Sequence, residues 1–302
     1  GGKARAVITP ESVDELARVV RFLNENGEGF RLVGETSNML FLDEIDYGFI
    51  VSTLKVRGVW FDRETNEIHA ECGVKLPDLS RLALLESADG FAGLEGIPGT
   101  SGGAVFMNAG AYGDSIHLVL KAVDVVTAQG KILRMESHDL GFSYRNSVFR
   151  DGRCPHLIVR AIFHLRAGDQ ARIGHKMELV HAKRHKYNEY SYPNLGSVFS
   201  GSVYRALAKR DRYYWLVSSF FFIFNYKLRI FRRESPLNRK WLNDFTLKRF
   251  RLSFKKQPFS DKTMNTIINN GQGTKACVDY LNIIVELIDG EVPIENEIVE
   301  SF

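Results

Sequence analysis

Two glycine-bearing stretches carry the residue types that could grip a phosphate. The first is Gly34-Glu35-Thr36-Ser37-Asn38, small and polar almost throughout. The second runs Gly93-Leu94-Glu95-Gly96-Ile97-Pro98-Gly99-Thr100-Ser101-Gly102-Gly103-Ala104, with five glycines in the eleven residues from Gly93 to Gly103. That density excludes an ordinary helix interior or a strong strand. Holding a pyrophosphate takes several backbone N–H groups converging at hydrogen-bond distance, and side chains obstruct the approach. A helix N-terminus adds a favourable field. Taken singly, either stretch is accounted for as well by tight turns and close packing. Together they could grip a dinucleotide from two lobes.

The elements around them suit that task. Arg5 to Ile8 reads as a strand. Ser12 with Glu15 three residues on forms a capping-box pattern, and Val13, Leu16, Val20 and Leu23 then make an apolar stripe at helical spacing that ends at Gly27. Phe30 to Val33 reads as a second strand, running straight into Gly34. Short strands and turns are expected from Phe49 to Gly73, and a helix from Leu76 to Ala88 with Leu79, Leu82 and Leu85 on one side. Val123 to Met135 reads as a hairpin turning near Gln129-Gly130, and Leu157 to Leu165 as a strand. Ala171 to Tyr187 and Val278 to Leu287 read as helices. The expected organisation is a β-α-β lobe over residues 1–54, a second, β-rich lobe over 55–168, and a third region over 169–302.

The chain has 302 residues, enough for two or three domains each with its own core. Its formal charge of +4 is unevenly spread. Between Arg205 and Lys256 there are 15 Arg and Lys against three acids, a local charge of +12 that leaves about −8 for the rest. Thirteen aromatics interleave with these cations, from Tyr213, Tyr214 and Trp215 through Phe231 to Phe254. Three readings of residues 213–254 stand: a helical layer with aromatics inside, a membrane-surface element meeting anionic headgroups, or a wall for a phosphate-rich ligand. No nucleic-acid motif accompanies the charge, so no nucleic-acid partner is expected. The longest apolar run, Tyr213 to Phe224, is too short for a membrane span. Cys72, Cys154 and Cys277 show no metal or disulfide spacing and read as buried, inert thiols in a reducing cytoplasm. No metal site is expected. The start at Gly1-Gly2-Lys3-Ala4 shows no signal peptide and reads as a beginning inside a domain.

In order and spacing, these stretches resemble the UDP-N-acetylenolpyruvoylglucosamine reductase family (UDP-N-acetylmuramate dehydrogenases). Gly34 to Leu40 is similar to that family's Gly-Gly-Gly-Ser-Asn-Leu-Leu loop. Gly93 to Thr100, Gly102-Gly103-Ala104 and Asn108-Ala109-Gly110-Ala111-Tyr112-Gly113 resemble its central signature. Tyr144-Arg145-Asn146-Ser147 resembles its Tyr-Arg-x-Ser segment, Gly196-Ser197-Val198-Phe199 its Gly-Ser-x-Phe, and Ile294-Glu295-Asn296-Glu297-Ile298 its terminal Leu-Glu-x-Glu-Val. The likeness covers residues 1 to about 200, and again about 260 to 302.

The resemblance implies an α+β protein. It would have a two-lobed FAD-binding fold of the vanillyl-alcohol-oxidase type, followed by a C-terminal α+β substrate domain. It implies non-covalent FAD reduced by NADPH, with hydride then passed to an enolpyruvyl nucleotide sugar to give UDP-N-acetylmuramate, a peptidoglycan precursor. The implied FAD contacts are Gly34, Thr36, Ser37, Asn38 and Met39, then Gly96, Ile97, Pro98, Gly99, Thr100, Gly102, Gly103 and Ala104, then Asn108, Gly110, Ala111 and Tyr112. Tyr112 reads equally as a packed aromatic. Arg145 matches the position that polarises the substrate carboxylate, Ser197 the proton donor and Glu297 the carboxylate that helps stabilise the enol. A cytoplasmic monomer is implied.

The chain also departs from the pattern. Glu35 and Thr36 replace two glycines, and Glu35 sets a negative charge beside the loop that repels a pyrophosphate unless its side chain turns outward. Ser200-Gly201-Ser202 stands where the family has Lys-Asn-Pro. In Ser260-Asp261-Lys262-Thr263-Met264-Asn265, Thr263 replaces the histidine of Ser-x-Lys-His-Ala-Asn. Two alternatives follow: an FAD oxidoreductase acting on another nucleotide sugar, and a non-catalytic flavin-fold protein attached to a membrane surface through residues 213–254.

Overall fold

The strand expected at Arg5–Ile8 forms as Lys3–Ile8, and the helix after it as Val13–Glu25, in a computed structural model that describes residues 1–227 and 238–302. Ser12 is extended and its hydroxyl accepts the Glu15 N–H at 3.2 Å. The return bond of the cap goes one residue further back, since the Glu15 carboxylate accepts the Glu11 N–H at 2.7 Å. The helix buries Val13, Leu16, Ala17, Val20 and Leu23, the stripe read from their spacing. It is the crossover that parallel pairing demands. Asp46–Ser52 lies between Lys3–Ile8 and Phe30–Val33 in a three-stranded parallel sheet.

A five-stranded antiparallel sheet follows, in the order Ile132–Glu136, Leu120–Val126, Leu157–His164, Glu67–Glu71, Val59–Asp62. Its first pair is the expected hairpin. Gly130, at φ +76°, closes the turn by donating to the Thr127 carbonyl at 2.9 Å. The helix Leu76–Leu85 carries a proline in its first turn and stops short of Ala88. The chain reverses there through Ser87 at φ +53° and Gly90 at φ +96°. This helix and the short Ser101–Phe106 help build a core that includes Ile68, Leu79, Val105, Val123 and Phe163.

The chain divides into two compact units. Lys3–Thr36, Asp46–Arg184 and Ser301–Phe302 form one, holding both of these sheets. Gly1–Gly2, Ser37–Ile45 and His185–Glu300 form the other. Ser37–Ile45 belongs with the C-terminal region because Met39–Phe41 pairs in parallel with Glu297–Val299.

That second unit holds the helices Val203–Arg210, Arg212–Phe222, Lys240–Arg249 and Thr274–Leu287, with a hairpin of Phe259–Ser260 and Thr263–Ile267. The basic, aromatic stretch is thus a helical layer over its described part, while 228–237, including Phe231, lies outside the described residues. Its aromatics divide. Tyr204 and Tyr214 are buried, with hydroxyls bonded to Asn243 at 2.6 Å and Thr246 at 2.8 Å. Tyr213, Trp215, Phe220 and Trp241 each remain more than half exposed. Among the described residues, no helix is long and apolar enough to cross a membrane.

Candidate functional site

In the unit of the two sheets, the two glycine stretches lie against each other. A Cβ at Gly34 would stand 2.5 Å from Thr100 Oγ1, so only glycine allows this approach. Gly102 packs as closely on the second stretch, where a Cβ would meet the Cys72 Cβ at 2.8 Å. Thr100 is fixed from both sides. It bridges Lys75 backbone to backbone, and its hydroxyl accepts the Gly103 N–H at 3.4 Å to cap Ser101–Phe106. The Leu76 N–H donates to the Gly99 carbonyl at 3.0 Å, and the Ser101 N–H to the Val74 carbonyl at 2.7 Å. The second stretch is therefore tied into the lobe's backbone. Glu95 and Gly96, the latter at φ +72°, turn the chain, with the Ile97 N–H donating to the Leu94 carbonyl at 3.1 Å, and Ile97 and Pro98 lead on to a bend at Gly99.

Glu35 does not turn outward, as a carboxylate repelled by a neighbouring anion would. One oxygen accepts the Gly99 N–H at 2.7 Å and the other lies 3.0 Å from Lys75 Nζ. The inward orientation is stable because a backbone donor and a cation neutralise the charge. The junction thus sets a backbone N–H and an ammonium within reach of one anionic group, the donor types that a phosphate oxygen also takes, with Glu35 engaging both. Lys75 is the residue that sequence reading missed. Its only local signal was a cation just ahead of a helix start containing Pro77. Thr36 sits at φ +55°, a conformation that favours glycine and disfavours a β-branched side chain.

The rest of the central signature is also anchored in this unit. Asn108, at φ +46°, donates its amide to the Ser143 carbonyl at 2.8 Å, and its oxygen accepts the His117 N–H at 3.2 Å. Gly110–Ala111 pairs with Asp114–Ser115, and Asp114 accepts the Gly93 N–H at 2.6 Å while lying 2.7 Å from Lys176. Tyr112 lies beneath two cations, Lys183 at 5.5 Å and Arg184 at 5.3 Å from its ring centroid. Ser143 and Asn146 exchange backbone bonds of 3.2 Å, making a tight turn with Tyr144 and Arg145 at its corner. Arg145 takes φ +51° there, half-buried, with its guanidinium carbon 5.4 Å from the Tyr144 ring centroid. Asn108 thus ties the Arg145 turn to the glycine signature.

The second unit gathers four other stretches singled out in the sequence. The Val198 N–H donates to the Asn265 carbonyl at 2.8 Å, and the Phe199 N–H to Asn265 Oδ1 at 2.6 Å. The Glu295 N–H donates to the Val198 carbonyl at 2.7 Å, and Asn296 donates to the Leu195 carbonyl at 3.1 Å. Asn296 also donates to Asn38 Oδ1 at 2.9 Å, and the Glu297 N–H to the Asn38 carbonyl at 2.9 Å. Ser197 is exposed, between Gly196 at φ +69° and the anchored Val198. Glu297 is half-buried and paired in register with Met39. The segments bearing Ser197 and Glu297 are therefore held together, while Arg145 stands in the unit of the glycine stretches. Asn265, which binds the Ser197 segment by backbone and side chain, was not among the expected site residues.

Residues 4–136 match the family described as FAD binding domain. About two thirds of the chain also matches curated reductases. The UDP-N-acetylenolpyruvoylglucosamine reductase of Carboxydothermus hydrogenoformans is 39% identical over 199 residues, 66% of this chain and 65% of that protein. Over that stretch the chain is similar to the UDP-N-acetylenolpyruvoylglucosamine reductases. The enzyme of that name from Streptococcus mutans is 37% identical over 199 residues, 66% of this chain and 64% of that protein. The chain thus matches just under two thirds of the length of these curated reductases. The crystal structure of the reductase from Thermus caldophilus superposes with a TM-score of 0.66 over 97% of this chain and 91% of that one, at 22% identity. That likeness shows the fold: α+β, with the FAD-binding lobes expected from the resemblance followed by a further α+β region.

Proposed function

We propose that the protein is an FAD-dependent, NADPH-using reductase of UDP-N-acetylglucosamine enolpyruvate, forming UDP-N-acetylmuramate for peptidoglycan synthesis. The observation that supports the flavin part of this reading is the junction of the two glycine stretches, where the Gly99 N–H and Lys75 converge as anion donors, engaged here by the chain's own Glu35 carboxylate. The reading extends to a monomer working in the cytoplasm.

FAD, when bound along residues 34–39 and 96–112, supplies the hydride chemistry. The chain's own groups do the rest. Hydride arriving at the enol ether builds negative charge next to the substrate carboxylate. Arg145 polarises that carboxylate through its guanidinium. Glu297 helps to stabilise the enol. Ser197 delivers a proton to the adjacent carbon; it is exposed here, and as a weak acid it can do so only once bound substrate excludes water from it. Ser197→Ala is expected to slow enolpyruvyl reduction by about a hundredfold or more while NADPH still reduces the flavin. Unchanged turnover in that variant would remove Ser197 from the proton-donor role.

One observation favours a second reading, reduction of a different nucleotide sugar. Ser202, in the stretch that replaces Lys-Asn-Pro, caps the helix Val203–Arg210 by accepting the Arg205 N–H at 3.4 Å. Thr263, in place of the family's histidine, accepts the Asn265 N–H at 3.2 Å and a bond from Arg239 at 3.4 Å. Both positions serve the local fold here, so substrate contacts drawn from them in the family have to come from other residues. A nucleotide-sugar panel separates the two readings.

A further inference from the structure

We infer that Glu35 is an internal competitor of the FAD pyrophosphate, and that Lys75 is the cation for which both anions compete. The inference rests on the flavin reading above. A backbone N–H has one proton to donate, and the Glu35 carboxylate takes that of Gly99 at 2.7 Å. The same carboxylate engages Lys75 through its other oxygen at 3.0 Å. A phosphate approaching this junction meets a negative charge already on its donors. It can bind well only when Glu35 yields them.

The two partners differ in freedom. The Lys75 backbone is bridged to Thr100 and followed by the Leu76–Gly99 bond, so its Cα cannot leave the glycine stretch. Its side chain is 57% exposed, and its flexible stem can redirect the ammonium from carboxylate to phosphate. The Glu35 side chain is 25% exposed, and a rotation about its own bonds carries it toward solvent. Cofactor binding is thus an exchange of one anion for another on a fixed donor set. Glu35 keeps that set ordered and lowers the apparent affinity for FAD.

Flavin affinity in two variants tests this. Glu35→Gln keeps an oxygen acceptor for Gly99 and removes the charge; Lys75→Met removes the cation and keeps the stem. Dissociation constants for FAD and for riboflavin, which lacks phosphate, are measured by fluorescence quenching on protein shown to be folded by circular dichroism. Glu35→Gln should bind FAD about tenfold more tightly than the wild type, and Lys75→Met about tenfold more weakly, with riboflavin affinity unchanged in both. FAD affinity in Glu35→Gln equal to or below that of the wild type overturns the competition. FAD affinity unchanged in Lys75→Met, or equal shifts for riboflavin, overturns it too. Folded wild type and variants that all fail to bind FAD would overturn the flavin reading itself, a result distinct from these.

Discussion

Asn296 donates its side-chain amide to the side-chain oxygen of Asn38, a residue 258 positions earlier, at 2.9 Å. The same amide holds the Leu195 carbonyl, so one buried side chain joins the first loop, the Ser197 segment and the C-terminal strand. Asn296→Ala removes both bonds, which should cost about 2 kcal/mol of stability. Urea denaturation measures it. A loss in kcat/KM should accompany it, because Ser197 and Glu297 lie in the segments thus released.

Thr36 occupies φ +55°. The left-handed region costs a non-glycine residue about 1–2 kcal/mol, and glycine gives back roughly half of that gain through its freer unfolded chain. Thr36→Gly is therefore expected to stabilise the protein by up to about 1 kcal/mol. A fall in Tm would show that the threonine side chain contributes more than its backbone conformation costs.

Asp211 caps the helix Arg212–Phe222. Its carboxylate accepts the Tyr214 N–H at 2.7 Å and pairs with Arg249. The Tyr214 N–H first, and Arg249 after it, hold its pKa below the ordinary carboxylate value. The folded state then binds this proton less readily than the unfolded state. The stability it contributes is present above the unfolded carboxylate value, near ~4, and lost as pH falls through the folded one. Asp211→Asn should cost about 1 kcal/mol or less at pH 7 and flatten part of the acid limb of a stability–pH curve. A variant with the wild-type acid limb would contradict this.

Burial pushes the Cys72 thiol up to about 12, and Cys277 is raised by burial as well. Both should resist thiol reagents at pH 8 in the folded protein, because the thiolate is the reactive form. The half-buried Cys154 should be labelled first, as counted by mass spectrometry. Early labelling at Cys72 would mean that the lobe around Gly102 opens locally.

Local grammar made part of this fold legible. The Ser12 cap, the stripe from Val13 to Leu23 and the Gln129-Gly130 turn depend on neighbours within a few residues, and the structure keeps all three. The two glycine stretches were legible as a pair because backbone approach demands glycine wherever it occurs. The inward Glu35 was not, since the Gly99 N–H that draws it in lies 64 residues away. The pairing of Met39–Phe41 with Glu297–Val299 was hidden for the same reason, as no local pattern encodes a partner so distant. In the helix Arg212–Phe222, apolar residues occur on all sides, and the sequence could not say that Tyr214 is buried while Tyr213 and Trp215 face outward.

The most direct test of the proposed activity is NADPH oxidation by FAD-loaded protein, with and without UDP-N-acetylglucosamine enolpyruvate. Substrate-dependent oxidation, forming UDP-N-acetylmuramate in step with the NADPH consumed, is the expected result. Flavin reduction by NADPH with no turnover of the enolpyruvyl compound would contradict it and point to another nucleotide sugar.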